Sequence, residues 1–130
     1  MRKIFKIEKK IEPFNKKIKV DGDKSLSIRW SLLASLAEGK SIAHNLPRSE
    51  DVMSALKCLK KIGIKVSLKK KICIINGKGI NFIPNKKIIL NAGNSGTLGR
   101  LILGMNVNFT NRLKLIGDQS LSKRDFKRIA

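Results

Sequence analysis

The 130-residue sequence predicts an α/β fold, on three observations. Apolar residues recur at helical spacing in two long stretches, and short runs rich in isoleucine and valine separate them. Three of those runs feed through a glycine-bearing turn into the start of a helix, each turn followed by a cationic side chain.

Taken in order, Ile4, Ile7 and residues 16–20 read as short strands, divided at Glu12-Pro13-Phe14-Asn15, where proline and asparagine favour a turn. The turn Asp21-Gly22-Asp23 then opens a helix over 25–38. Leu26, Trp30, Leu33 and Ala37 recur there at helical spacing, flanked by Leu32 and Leu36, so this is the face expected to be buried; Gly39 is placed to end the helix. Residues 41–45 are a short strand candidate. Ser49 follows as an N-cap, with Glu50 and Asp51 as first-turn acids that favour the positive end of a helix. Val52, Ala55, Leu56, Leu59 and Ile62 then mark a second amphipathic helix, with lysines in its last turns and Gly63 closing it.

Residues 64–69 alternate apolar and polar side chains as a half-exposed strand does, and 72–75 continue after a lysine-rich turn, which predicts a hairpin. A strand over 88–90 leads through Asn91-Ala92-Gly93-Asn94-Ser95-Gly96 into a glycine-weakened helix over 97–105. A strand over 113–116 runs into Gly117-Asp118, and a further helix is expected to begin near Arg124. The predicted order is β, α, β, α, β, β, β, α, β. That last helix has nothing to bury it, so the chain is expected to be a piece of a longer protein.

Composition bounds the function. No apolar run is long enough to span a membrane, and the basic start lacks the uninterrupted apolar region of a secretory signal, so a cytoplasmic protein is expected. Cys58 and Cys73 form no CxxC pair and His44 is the only histidine, so buried reduced thiols are expected rather than a zinc site or a disulfide. His44 itself reads as structural. The formal charge of +20 raises a small basic nucleic-acid-binding protein as the alternative function. Against it, the lysines are spread along the chain, no arginine-rich tract occurs, and tyrosine is absent where stacking on bases would need aromatic rings.

The three turns carry the chemistry. A helix N-terminus presents unpaired N–H groups and about half a positive charge, and glycine in the turn before it lets an anion reach the backbone. In Gly22-Asp23-Lys24-Ser25-Leu26-Ser27-Ile28-Arg29, Lys24 adds a point charge and Ser25 a hydroxyl, while Arg29, one turn beyond Ser25, adds a planar fork on the same face. Gly93 and Gly96 allow close backbone approach in the second turn, where Asn94, Ser95 and Thr97 can cap the helix or bind an oxygen ligand. Gly117 to Arg124 repeats the layout. Neither the Walker spacing nor the dinucleotide glycine spacing is present.

In order and spacing these three segments resemble the signatures of the enolpyruvyl transferase family: Gly-Asp-Lys-Ser-Ile-Ser-His-Arg, Asn-Ala-Gly-Asn-Ser-Gly-Thr and Gly-Asp-x-Ser-Leu-x-x-Arg. The resemblance implies a partial enolpyruvyl-transferase fold built from βαβαββ repeat units, an inside-out α/β barrel in the complete family. Residues 21–130 would then be an incomplete substrate-binding domain of about one and a half such units, and residues 1–20 a strand or crossover region pairing with the other domain. It also implies two small anionic substrates, shikimate 3-phosphate and phosphoenolpyruvate. Lys24, Ser25 and Arg29 would bind the first, and Lys24, Gly96 and Arg124 the second, with Asn94 beside Gly96. No metal or organic cofactor is implied, the proton-transfer groups are expected outside these residues, and the complete enzyme is expected to be a monomer. The chain departs from the family pattern at Asp21, Ile28, Gly99 and Asp125, and none of these changes removes a cationic ligand.

Overall fold

The computed structural model describes residues 6, 8–10, 12–84, 87–107 and 113–127. Among the described residues four helices and five strands run in the order α1 (Lys24–Leu36), β1 (Glu38–Ala43), α2 (Glu50–Ile62), β2 (Lys65–Lys69), β3 (Ile72–Lys78), β4 (Ile88–Asn91), α3 (Gly96–Met105), β5 (Leu113–Ile116) and α4 (Gln119–Ser122). The α/β class predicted from the sequence is the class observed.

Strands β1, β3 and β2 form an antiparallel sheet with β3 in the centre, Glu38 opposite Lys78 at one end and Lys69 opposite Ile72 at the other. The hairpin between β2 and β3 turns on two residues, and Lys70 takes the left-handed conformation that such a tight turn requires. Strands β4 and β5 pair in parallel, with α3 in the connection between them as parallel pairing demands. One apolar core joins both sheets: Val52, Leu59 and Ile62 from α2 meet Ile75 from β3, Leu90 from β4 and Ile102 from α3.

Helix α2 follows its sequence pattern. The five apolar residues assigned to its inner face are all buried, and Gly63 ends it with φ 103°, a conformation that costs a side-chain-bearing residue about 1 kcal/mol or more. Ser49 occupies the N-cap position but its hydroxyl makes no capping bond.

Helix α1 departs from its pattern. Leu26 and Leu33 are 66% and 68% exposed, and the buried face is Ser27, Ile28, Ser31, Leu32, Ala34 and Ser35. Close packing selects the small residues. A Cβ on Gly77 of β3 would come within 2.4 Å of the Ala34 carbonyl, so no bulky row fits between this helix and the sheet. The serine hydroxyls are satisfied within the helix: Ser27 donates to Asp23 O, Ser31 to Ser27 O and Ser35 to Leu32 O, each at 2.6 Å.

Four boundaries also differ. Residues 16–20 form no strand and join neither sheet; the positions of Ile4 and Ile7 lie outside the described residues. Helix α1 ends at Leu36 with an extended Ala37 cap, and Gly39 falls inside β1 with φ 88°. The strand after it is Glu38–Ala43, drawn earlier by pairing with β3, which leaves His44 exposed beyond its end. The last helix begins at Gln119, where the Asp118 carboxylate caps it, and Arg124 lies past its end.

Candidate functional site

Each of the three glycine turns builds a capped helix start. At α1 the Asp23 carboxylate accepts from Leu26 N at 2.6 Å and its carbonyl accepts from Ser27 N, which leaves the N–H groups of Lys24 and Ser25 as the outward-facing donors. Gly22 is required by crowding: a Cβ there would sit 2.5 Å from the Asn45 carbonyl. Arg29 donates from Nη1 to Ser25 Oγ at 2.5 Å, so the fork and the hydroxyl lie together as their spacing predicts. Lys24 Nζ pairs with Asp51 Oδ2 at 2.8 Å, fixing the ammonium over the first turn of α2. An ammonium has three donors, so this pairing leaves Lys24 free to engage an anion as well.

At α3 the Ser95 hydroxyl accepts from Leu98 N and its carbonyl from Gly99 N, and the Gly96 and Thr97 N–H groups remain at the helix mouth. Arg124 lies directly across that mouth. A Cβ on Gly96 would come within 2.6 Å of Arg124 Nη1, and Arg124 Nη2 donates to Asn94 Oδ1 at 3.2 Å. Asn94 Nδ2 in turn donates to Asp118 Oδ2 at 2.6 Å. The amide hydrogen bond from Leu121 and then that from Asn94 hold the Asp118 carboxyl below its ordinary pKa. Gly99 gives the space in which the Phe126 ring packs, 3.2 Å from where a Cβ would stand, so the segment carrying Arg124 docks on α3.

The first turns of α2 link the two clusters. Asp51 holds Lys24, and Ser54, three residues on and therefore on the same face, has its hydroxyl 3.2 Å from where a Gly93 Cβ would stand. Lys24 thus meets α2 at Asp51, and Gly93 meets it one turn on, at Ser54.

The carboxylates at the departures from the family pattern are engaged. Asp21 forms an ion pair with Lys71, and Asp125 accepts from Lys127 N at 2.8 Å. Both cysteines are free and buried, and burial raises both thiol pKa values. No group of three metal-ligating side chains occurs among the described residues, and none of their helices is long and apolar enough to cross a membrane.

Sequence reasoning missed Asp51 and Asp118 as partners of the site cations. Both sit at or just inside helix starts, where their acids are explained by capping and the helix dipole alone, and only the packing of one helix start against another shows the second role.

An α/β unit with three glycine turns, each leading into a capped helix start, is a domain of the enolpyruvyl transferase kind. The family profile described as EPSP synthase (3-phosphoshikimate 1-carboxyvinyltransferase) matches residues 8–130, and the chain belongs to this family. It is 37% identical over 114 residues to a 3-phosphoshikimate 1-carboxyvinyltransferase of Lactococcus lactis subsp. cremoris (strain MG1363), covering 88% of this chain and 26% of the relative. To that of Sulfurihydrogenibium sp. (strain YO3AOP1) it is 36% identical over 125 residues, 96% of this chain and 29% of the relative. The fold superimposes on an EPSP synthase from Acinetobacter baumannii with a TM-score of 0.77 and 32% identity, over 85% of this chain and 26% of that one. The chain therefore spans between a quarter and a third of the length of these relatives.

Proposed function

We propose that this chain forms part of the substrate-binding half of an enzyme that transfers the enolpyruvyl group of phosphoenolpyruvate to the 5-hydroxyl of shikimate 3-phosphate, releasing phosphate, in the pathway to chorismate and the aromatic amino acids. The observation that carries the reading is the placement of the Arg124 guanidinium across the Gly96 helix mouth, in the loop whose Gly93 meets α2 one turn beyond the Asp51 that holds Lys24.

In this reading Ser25 and Arg29 grip shikimate 3-phosphate through a hydroxyl and a planar fork already joined to each other. Lys24 lies between the ligands and touches both. Gly96 lets the phosphoenolpyruvate anion approach the α3 backbone, and Arg124 closes over it. These groups bind and orient; they neutralise charge where phosphate leaves, and the protons of the reaction are moved by groups outside this chain. Residues 1–20 serve the other domain or the crossover to it, a reading supported by the exposure of Phe14, Ile18 and Val20 on an unpaired segment. The complete enzyme acts as a cytoplasmic monomer.

Isothermal titration with shikimate 3-phosphate tests the assignment. Wild type should bind, and Lys24→Ala and Arg29→Ala should each weaken binding about tenfold, the scale of one lost charge-assisted hydrogen bond. Equal binding by all three proteins would remove these residues from the site, and duplex DNA binding with a steep salt dependence would replace the reading by the nucleic-acid one.

A further inference from the structure

We infer that Asp118 is a positioning residue for Arg124, acting through the side-chain amide of Asn94. The inference rests on the reading of Arg124 as a ligand of phosphoenolpyruvate, and its test separates the two.

The geometry gives each oxygen of Asp118 its own task. Oδ1 accepts from Leu121 N at 2.7 Å and caps α4, while Oδ2 accepts from Asn94 Nδ2 at 2.6 Å. A carboxylate only accepts, so it admits one orientation of the Asn94 amide, with NH2 towards Asp118 and oxygen towards Arg124. That oxygen meets Arg124 Nη2 at 3.2 Å. Without the carboxylate the amide is held only at its oxygen, by the guanidinium, and its NH2 end is free to move. The backbone repeats the linkage: Asp118 N donates to Gly93 O, and Arg124 N donates to Leu121 O at the end of the helix that Asp118 starts. One carboxylate thereby fixes both the segment that carries Arg124 and the side chain that aims it.

A bare capping role and a bare charge role give different outcomes. Serine is a good N-cap with a single side-chain oxygen, so Asp118→Ser keeps the bond from Leu121 N and loses the one from Asn94. Removing a negative charge beside Arg124 would, by electrostatics alone, tighten anion binding. Loss of aim weakens it.

The experiment uses the 130-residue protein with side-chain amide NMR and phosphoenolpyruvate titration. In the ligand-free wild type the Asn94 NH2 signals should be protected from exchange, and in Asp118→Ser they should lose that protection. Phosphoenolpyruvate affinity should fall about fivefold, the equivalent of one neutral hydrogen bond. In an Asn94→Ala background Asp118→Ser should have no further effect, because the relay is already cut. Unchanged Asn94 protection in Asp118→Ser, unchanged or tighter phosphoenolpyruvate binding, or additive effects in the double variant would each overturn the inference. If Arg124→Ala leaves phosphoenolpyruvate binding untouched, the assignment of Arg124 as a ligand fails instead, whatever the Asn94 signals show.

Discussion

Helices α1 and α2 have the same length and lie against each other, yet α2 buries the face its pattern announces and α1 turns most of that face outward, keeping only Trp30 against the core. In α2 the large apolar side chains face the core and lysines face water. In α1 small residues line the contact with β3, and Leu26 and Leu33 point outward. The difference teaches that apolar periodicity reports burial only where the neighbouring element stands far enough away to admit large side chains. Where a glycine strand comes up against a helix, as Gly77 does beneath Ala34 and Ala37, serine and alanine become the core residues. The outward leucines are not scattered: Leu33 and Leu36 share with Leu101 and Met105 a groove of about 280 Å³, bordered by Arg29.

The contrast is sharpest in a pair of truncations. Leu59→Ala on α2 removes a fully buried side chain and is expected to cost about 2–5 kcal/mol, whereas Leu33→Ala on α1 should change stability by about 0.5 kcal/mol or less. Urea unfolding followed by the fluorescence of Trp30 measures both, and equal losses would break the distinction. The reverse substitution is next in size. Ser31 is fully buried, so Ser31→Leu should lose about 1–3 kcal/mol by overpacking, while Leu26→Ser on the opposite face should be tolerated. At the end of α2, Gly63→Ala should cost about 1 kcal/mol in the same assay because φ there is 103°.

The smallest effect concerns pH at the site end of the fold. The Asp118 carboxyl is lowered in the folded state from a starting value of 3.8, so its ionised form favours folding. Its contribution should be complete above that value and disappear as pH falls through the lower folded value. Comparing the acid limbs of wild type and Asp118→Asn detects it: the two stability curves should converge at the lowest pH. A gap that widens with acidification would contradict the sign.

Much of the fold was legible in the sequence, for reasons specific to each element. Val52 to Ile62 and the alternation over 64–69 carry periods that match their geometry, and Gly63 marks a left-handed cap that few other residues adopt. Residues 16–20 alternate as a strand would, but a strand exists only when paired, and this segment joins neither sheet among the described residues. The inner face of α1 was hidden because its determinant, the approach of Gly77, lies in a distant strand. The site divides in the same way. Lys24, Ser25 and Arg29 were legible through helical spacing, and the structure places Arg29 on Ser25. Arg124 over Gly96, with Asp118 behind it, depends on loops brought together by β4, α3 and β5, and Asp51 behind Lys24 depends on the packing of α1 against α2.

The proposed reading makes the two glycine turns one anion site, linked through Asp51 and Ser54 of α2. Backbone amide NMR during a phosphoenolpyruvate titration, with shikimate 3-phosphate present, measures this directly. The amides of Lys24 and Ser25 and those of Gly96 and Thr97 should shift together along a single saturating curve, and Lys24→Ala should weaken both sets alike. Shifts confined to one turn, or spread evenly over the surface lysines without saturation, would contradict it.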